Sequence, residues 1–255
     1  MKKPTTNPTA NPETILSVRN LAISFDSRTV IRGLSFDLHA GDDLAVIGPN
    51  GSGKTVLLKA LLGLIPFDGE IRWSPKARLG YVPQKVAADR HMPINIQDLL
   101  AAKARFLKLP AQAVEQAAET VGLTPELLNT SVGILSGGQF QKALIAFALL
   151  GEPNVLLFDE PTASLDELAE ERIYELVAQL RQEKGLTVIL VSHDLSIVYR
   201  SASLVLCLSK DRPCLGPPQE VLTPEMLERL YAAPAQYYQH QHDHRKPLRL
   251  TGTEQ

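Results

Sequence analysis

Eight consecutive residues, Gly48-Pro49-Asn50-Gly51-Ser52-Gly53-Lys54-Thr55, have the types and spacing to hold a polyphosphate. The run fits G-x-x-x-x-G-K-[ST]. It stands directly after the apolar stretch Leu44-Ala45-Val46-Ile47 and before a segment of helical period. Glycines let the backbone curl so that consecutive N–H groups converge on phosphate oxygens, and a following helix adds the positive end of its dipole. Lys54 is then placed for the β- and γ-phosphates of a nucleotide such as ATP, and the Thr55 hydroxyl for Mg²⁺.

The second chemical feature is an apolar run ending in two acids, Val155-Leu156-Leu157-Phe158-Asp159-Glu160. Ligands of open parallel sheets gather at the carboxyl ends of strands, which would bring this pair beside the cradle. Asp159 is there the candidate Mg²⁺ ligand, through a water. Glu160 is the candidate to orient or deprotonate an attacking water. Alone, such an ending reads more often as a solvated strand end; the cradle earlier in the chain makes it a catalytic expectation.

These groups need a frame. Residues 15–47 carry three strand-like runs, with turns at Asp26–Ser27 and Ala40–Gly41. From Gly53 the period becomes helical, with Val56, Leu57, Leu58, Leu61 and Leu62 on one face. Short strands are expected at 69–73 and 79–82. Residues 94–150 read as almost wholly helical, with stops near Pro110, Gly122 and Pro125. Strand signals return at 155–158, 187–191 and 204–208, with helical stretches between them. Continuous apolar strands alternating with helices specify an α/β fold whose parallel sheet is covered on both faces, interrupted by a helical subdomain at about 90–150. The lead 1–13 is expected to be disordered, 14–233 to be one ATPase domain, and 234–255 to be a mobile tail.

Composition narrows the classes. An apolar fraction of 44% and a charged fraction of 21% are ordinary for a globular protein. A net charge of -2 offers none of the basicity of a nucleic-acid-binding domain. No run of 18 or more apolar residues occurs and the N-terminus has no signal-peptide pattern, so a cytoplasmic protein is expected, reaching a membrane only through a partner. Cys207 and Cys214 read as core residues rather than ligands.

Further segments in a fixed order make residues 15–230 resemble the ATP-binding subunits of ABC transporters. The most specific is Leu135-Ser136-Gly137-Gly138-Gln139, at a helix start about 20 residues before Asp159. The resemblance implies a P-loop ATPase with an N-terminal antiparallel β-subdomain and an inserted helical subdomain. It also implies a head-to-tail dimer in which Ser136, Gly137, Gly138 and Gln139 face the γ-phosphate held by the other copy. Gln84, in GYVPQK, matches the glutamine that senses Mg²⁺ and the attacking water. His193, in VILVSHD, matches the histidine that contacts the γ-phosphate. Ser164-Leu165-Asp166 matches the loop that crosses to the other subunit. Phe25 stands where the family commonly stacks a tyrosine on adenine; a core phenylalanine is the competing reading. Val56, Lys142 and Phe147 depart from the family pattern, and Phe147 puts in doubt a polar contact between the helical insert and the core.

The short interval from Lys54 to Gln84, the wording ARLGYVPQK and LVLCLSKDRPCLGPPQEVL, and a His-bearing tail are similar to the ATP-binding subunits of bacterial zinc-uptake transporters; manganese- and iron-uptake relatives share much of this. The partners implied are a second copy of the chain, an integral membrane permease and, indirectly, an extracytoplasmic solute-binding protein. His240, His242, His244 and Asp243 could hold Zn²⁺ or belong to a solvated tail. The competing class is a soluble ABC ATPase acting on DNA or ribosomes. Its DNA-repair members carry a long coiled-coil insert and its translation members usually two ATPase units, and this chain shows neither.

Overall fold

A computed structural model describes residues 13–26, 28–84, 93–162, 165–209 and 213–231. The expected lead, except Glu13, and the tail with His240, His242, His244 and Asp243 lie outside the described residues.

The chain begins with β1 (Thr14–Phe25) and β2 (Arg28–His39), an antiparallel pair. It then enters β3 (Asp43–Ile47), which leads through the cradle to α1 (Lys54–Leu61). β4 (Asp68–Trp73) returns to pair with β1, and β5 (Leu79–Val82) starts the second sheet's edge. The helical insert follows as α2 (Ile96–Phe106), α3 (Gln112–Thr120), α4 (Pro125–Leu128) and α5 (Gly137–Leu149). The remainder alternates: β6 (Val155–Asp159), α6 (Glu167–Lys184), β7 (Thr187–Val191), α7 (Leu195–Ser201), β8 (Leu204–Cys207). It ends in β9 (Cys214–Gly216), α8 (Pro218–Val221) and α9 (Pro224–Tyr231).

β1 shows how sequence parity becomes structure. Its fully buried residues are Leu16 and Val18, then Leu21 and Ile23, so the alternation slips by one. A bulge at Arg19–Asn20 absorbs the slip, with Asn20 at φ 47°, and all four side chains stay fully buried. Gly69 on β4 makes this possible. A Cβ there would lie 2.4 Å from the Asn20 carbonyl oxygen.

The first sheet has the order β2-β1-β4 and is antiparallel; the second has the order β5-β6-β7-β3-β8-β9, parallel through β8. Its edge strand β9 runs antiparallel to β8. The continuous apolar runs arise because each face of these strands meets its own core. On β6, Leu156 and Phe158 join the helical insert, whereas Val155 and Leu157 pack with α1 and the first sheet. On β3, Leu44 and Val46 face that same core, and Ala45 and Ile47 face a third cluster built with Val198, Val221 and Leu230. Phe158 is fully buried, and truncating such a side chain to Ala costs about 3–5 kcal/mol.

One expected helix stop is corrected. Pro125 does not end a helix but opens α4 at its first turn, where its missing N–H costs nothing, behind the Thr124 cap. α3 does end just before Gly122, which adopts φ 67°.

Candidate active site

Strand register sets the frame of the site. Val46 of β3 pairs with Val191 of β7, and Val191 pairs with Asp159 of β6, so the end of β6 is level with the exit of β3 into the cradle. The loop itself needs its glycines. Gly48 sits so close to β8 that a Cβ would lie 2.5 Å from the Leu208 carbonyl oxygen, and Gly53, at φ 101°, so close to β2 that a Cβ would lie 2.7 Å from Val30 Cγ1.

α1 starts without a side-chain cap. By contrast α2, α4, α5, α6 and α7 are capped by Asn95, Thr124, Ser136, Asp166 and Asp194. The first N–H groups of a helix have no intrahelical acceptor, so the N-terminus of α1 is open to an anion. Ser52 Oγ is buried in this loop with no hydrogen-bond partner. Lys54, only 6% exposed, donates from Nζ to the carbonyls of Gly48 (2.9 Å) and Pro49 (3.4 Å), which folds its ammonium back over the loop.

Charged and polar groups converge on the same point. Lys54 Nζ lies 3.5 Å from Glu160 Oε1, and Gln84 Nε2 donates to Glu160 Oε2 at 2.6 Å. Glu160 adopts φ 45°, a region costly for a residue with a side chain, and its N–H donates to the Val191 carbonyl at 3.1 Å. Thr55 Oγ1 donates to Asp159 Oδ1 at 2.9 Å, and the Tyr81 hydroxyl reaches Asp159 Oδ2 at 3.4 Å. Burial raises the Asp159 carboxyl above its ordinary value; the Thr55 hydrogen bond opposes this and the charge of Glu160 adds to it. Burial and the Asp159 carboxylate push the Tyr81 hydroxyl up to about 12, so it stays a donor.

A cleft of about 670 Å³ opens here, lined by Asn50, Gly51, Gly53, Lys54, Thr55, Val56, Gln84 and Glu160 together with Phe25. Phe25 is 45% exposed at the end of β1, so it is not a core residue. Sequence reasoning missed Arg28 and Val30, which line the cleft from the start of β2, and Tyr81. Tyr81 carried a local signal, three residues before Gln84. Arg28 and Val30 carried none, because only the hairpin's return brings them to the loop.

The remaining expected residues lie elsewhere. Among the described residues, neither Ser136–Gln139 nor Asp166 lines the cleft. Ser136 and Gln139 form a reciprocal capping box at the start of α5, with Ser136 and Gly137 exposed. Asp166 caps α6 through the Ala169 N–H. A Cβ on Gly138 would lie 3.6 Å from Ala169 Cβ, so the two helix starts share one surface. Ser164 lies outside the described residues. His193 follows β7 and is exposed, and it does not line the cleft. At position 147 the ring of Phe147 lies 4.5 Å under the Lys103 ammonium, a cation–π contact between α2 and α5.

The donors present suit a nucleotide with a hard cation. An uncapped helix start and a glycine cradle suit phosphate oxygens, and a buried carboxylate beside a hydroxyl offers the oxygen ligands that Mg²⁺ prefers.

The family model described as ABC transporter matches residues 31–163. The zinc import ATP-binding protein ZnuC of Chelativorans sp. strain BNC1 is 36% identical over 237 residues, covering 91% of this chain and 82% of that protein. That of Ruegeria pomeroyi is 39% identical over 211 residues, covering 81% and 80%. A chain of an ABC transporter solved in an inward-facing conformation superposes with a TM-score of 0.80 at 32% identity, over 87% of this chain and 90% of that one. CbiO1 of Clostridium perfringens, part of the transporter complex cbiONQ, gives a TM-score of 0.71 at 28% identity, over 85% and 94%. The chain therefore belongs to the ABC transporter family, as an ATP-binding subunit that hydrolyses ATP to drive transport.

Proposed function

We propose that this ATPase powers uptake of a divalent metal ion, zinc first, through a membrane permease that it engages from the inner face of the membrane. The observation that supports this reading of the cargo is the agreement of relatives at 36% and 39% identity, both named zinc import proteins and both matched over at least four fifths of their length. Within the described residues no helix is long and apolar enough to cross a membrane, so the ion's path belongs to a partner.

In the proposed mechanism Phe25 stacks on the adenine and the N–H groups of Gly48–Thr55 hold the phosphates. Lys54 leaves the loop carbonyls for the β- and γ-phosphates. Thr55, Asp159 and Gln84 would hold Mg²⁺, and the ion would supply charge neutralisation on the phosphate oxygens there. Glu160, oriented by Gln84, positions and deprotonates the attacking water. His193 contacts the γ-phosphate.

Ser136–Gln139 and Asp166 belong to a second copy's site. Two copies related by a two-fold axis close over two ATP molecules, and loss of the γ-phosphate contacts on hydrolysis reopens them. An extracytoplasmic solute-binding protein delivers the ion to the far side of the permease, and nucleic acid plays no part.

Deleting the gene and growing cells in a chelator tests the cargo. Rescue by zinc but not by manganese or iron is the expected result. Rescue by another ion, or no metal phenotype at all, would replace zinc in this reading.

A further inference from the structure

The chain has two cysteines, and the structure sets them face to face. Cys207 of β8 and Cys214 of β9 are direct partners in an antiparallel ladder, both as free thiols. Opposed residues in such a ladder have Cα atoms about 4.5–5.5 Å apart, inside the range of about 4.4–6.8 Å that a disulfide needs. Side-chain hydrogen bonding with Cys207 holds the Cys214 thiol below its ordinary value, and the same interaction together with burial holds Cys207 above it. Accessibility is divided in the same way: Cys207 is buried and Cys214 only partly so.

The pair also adjoins the phosphate cradle. Leu208, the residue after Cys207, donates its N–H to Ile47 at 2.8 Å, and its carbonyl is the atom that a Cβ on Gly48 would strike. Two backbone groups of Leu208 thus adjoin the start of the cradle, its N–H at Ile47 and its carbonyl at Gly48.

We propose that Cys207 and Cys214 are the two halves of a reversible disulfide, a modification site for low-molecular-weight disulfides seated directly behind the phosphate cradle. The Cys214 thiolate attacks glutathione disulfide, forming a Cys214–glutathione bond and expelling one glutathione thiolate. The Cys207 sulfur, losing its proton to that thiolate, then attacks the Cys214 sulfur; the protein disulfide forms and the second glutathione leaves. Two protein thiols are oxidised and one glutathione disulfide is reduced to two glutathiones. The disulfide constrains the hairpin whose Leu208 carbonyl abuts Gly48, and ATP turnover falls. The effect on turnover rests on the reading of Gly48–Thr55 as the phosphate site; the thiol chemistry does not.

The experiment uses the purified full-length chain, first reduced and then exposed to glutathione disulfide, with thiol titration, intact mass and ATPase rate measured together. Both thiols are expected to disappear in step, the mass to fall by two hydrogens with no glutathione retained, and the ATPase rate to drop several-fold and recover with dithiothreitol. Cys207→Ser should keep one glutathione on Cys214, and Cys214→Ser should leave Cys207 unreacted; both variants should remain active with ATPase rates insensitive to oxidation. Persistence of both thiols, or glutathione retained on the unmodified sequence, overturns the disulfide. A disulfide with an unchanged rate overturns its coupling to the cradle. If the reduced protein lacks ATPase activity, the functional reading of the cradle fails and the thiol count still decides the disulfide.

Discussion

Gln84 and Lys54 grip the two oxygens of one carboxylate: Gln84 Nε2 reaches Glu160 Oε2 at 2.6 Å, and Lys54 Nζ lies 3.5 Å from Glu160 Oε1. Phosphate binding would draw Lys54 away and leave Glu160 held by Gln84 alone, at a backbone position already turned to φ 45°. Glu160→Gln keeps the shape and removes the base, so the variant should bind ATP, accumulate as a closed dimer and turn over at a small fraction of the normal rate. Size-exclusion chromatography with ATP and a phosphate-release assay measure both; hydrolysis at the wild-type rate would assign the base elsewhere.

Thr55 and Asp159 form the second linked pair, at 2.9 Å. The hydroxyl's hydrogen bond favours the ionised Asp159 against the effect of burial. Thr55→Ala should therefore raise the Asp159 carboxyl further, move the acid limb of the pH–rate profile to higher pH, and increase the Mg²⁺ concentration needed for half-maximal rate. Thr55→Ser should restore both. An acid limb that stays in place in Thr55→Ala would mean that Asp159 does not set it.

Phe25 is exposed enough that its ring contributes little to folding, and aromatic–base stacking is worth about 1–3 kcal/mol, roughly 5- to 150-fold in Kd. Phe25→Ala should weaken ATP binding by a factor in that range with Tm nearly unchanged, and Phe25→Tyr should bind as the wild type does. Equal ATP affinity in Phe25→Ala, measured by calorimetry, would remove Phe25 from the adenine site.

Far from the cleft, at the amino end of β3, burial raises the Asp43 carboxyl to about 6 from 3.8 although Arg181 Nη1 lies 3.2 Å away. Tyr174 and Arg200 line the same cavity. The folded chain therefore keeps a proton on Asp43 to about pH 6 that the unfolded chain releases near 3.8. This contribution to stability is fully present below the unfolded value and is lost as pH rises through the folded one, by about 3 kcal/mol in all. Asp43→Asn should flatten the stability profile in that window. Arg181→Ala should destabilise the protein most above it, by leaving a buried carboxylate unpaired. Urea denaturation at a series of pH values reads both slopes, and parallel profiles for Asp43→Asn and wild type would contradict the linkage.

What could be read from sequence was what is encoded locally. The cradle from Gly48 to Thr55, the helix behind it, the strand ending in Asp159-Glu160 and the Ser136–Gln139 helix start each depend on a few adjacent residues, whose backbone preferences and periodicity survive without the rest of the fold. The tertiary structure decided which of these segments meet. The strand order β5-β6-β7-β3-β8-β9 is written in no local pattern, yet it alone brings Asp159 level with the cradle, sets Leu208 against Gly48 and opposes Cys207 to Cys214. The return of the first hairpin brings Val30 and Arg28 to the cleft and leaves Phe25 exposed beside them. Ser136–Gln139 and Asp166, by contrast, do not line this cleft. A pattern fixes the conformation of its own few residues; the long-range contacts that complete a site depend on how separate strands and helices bury their apolar faces against one another.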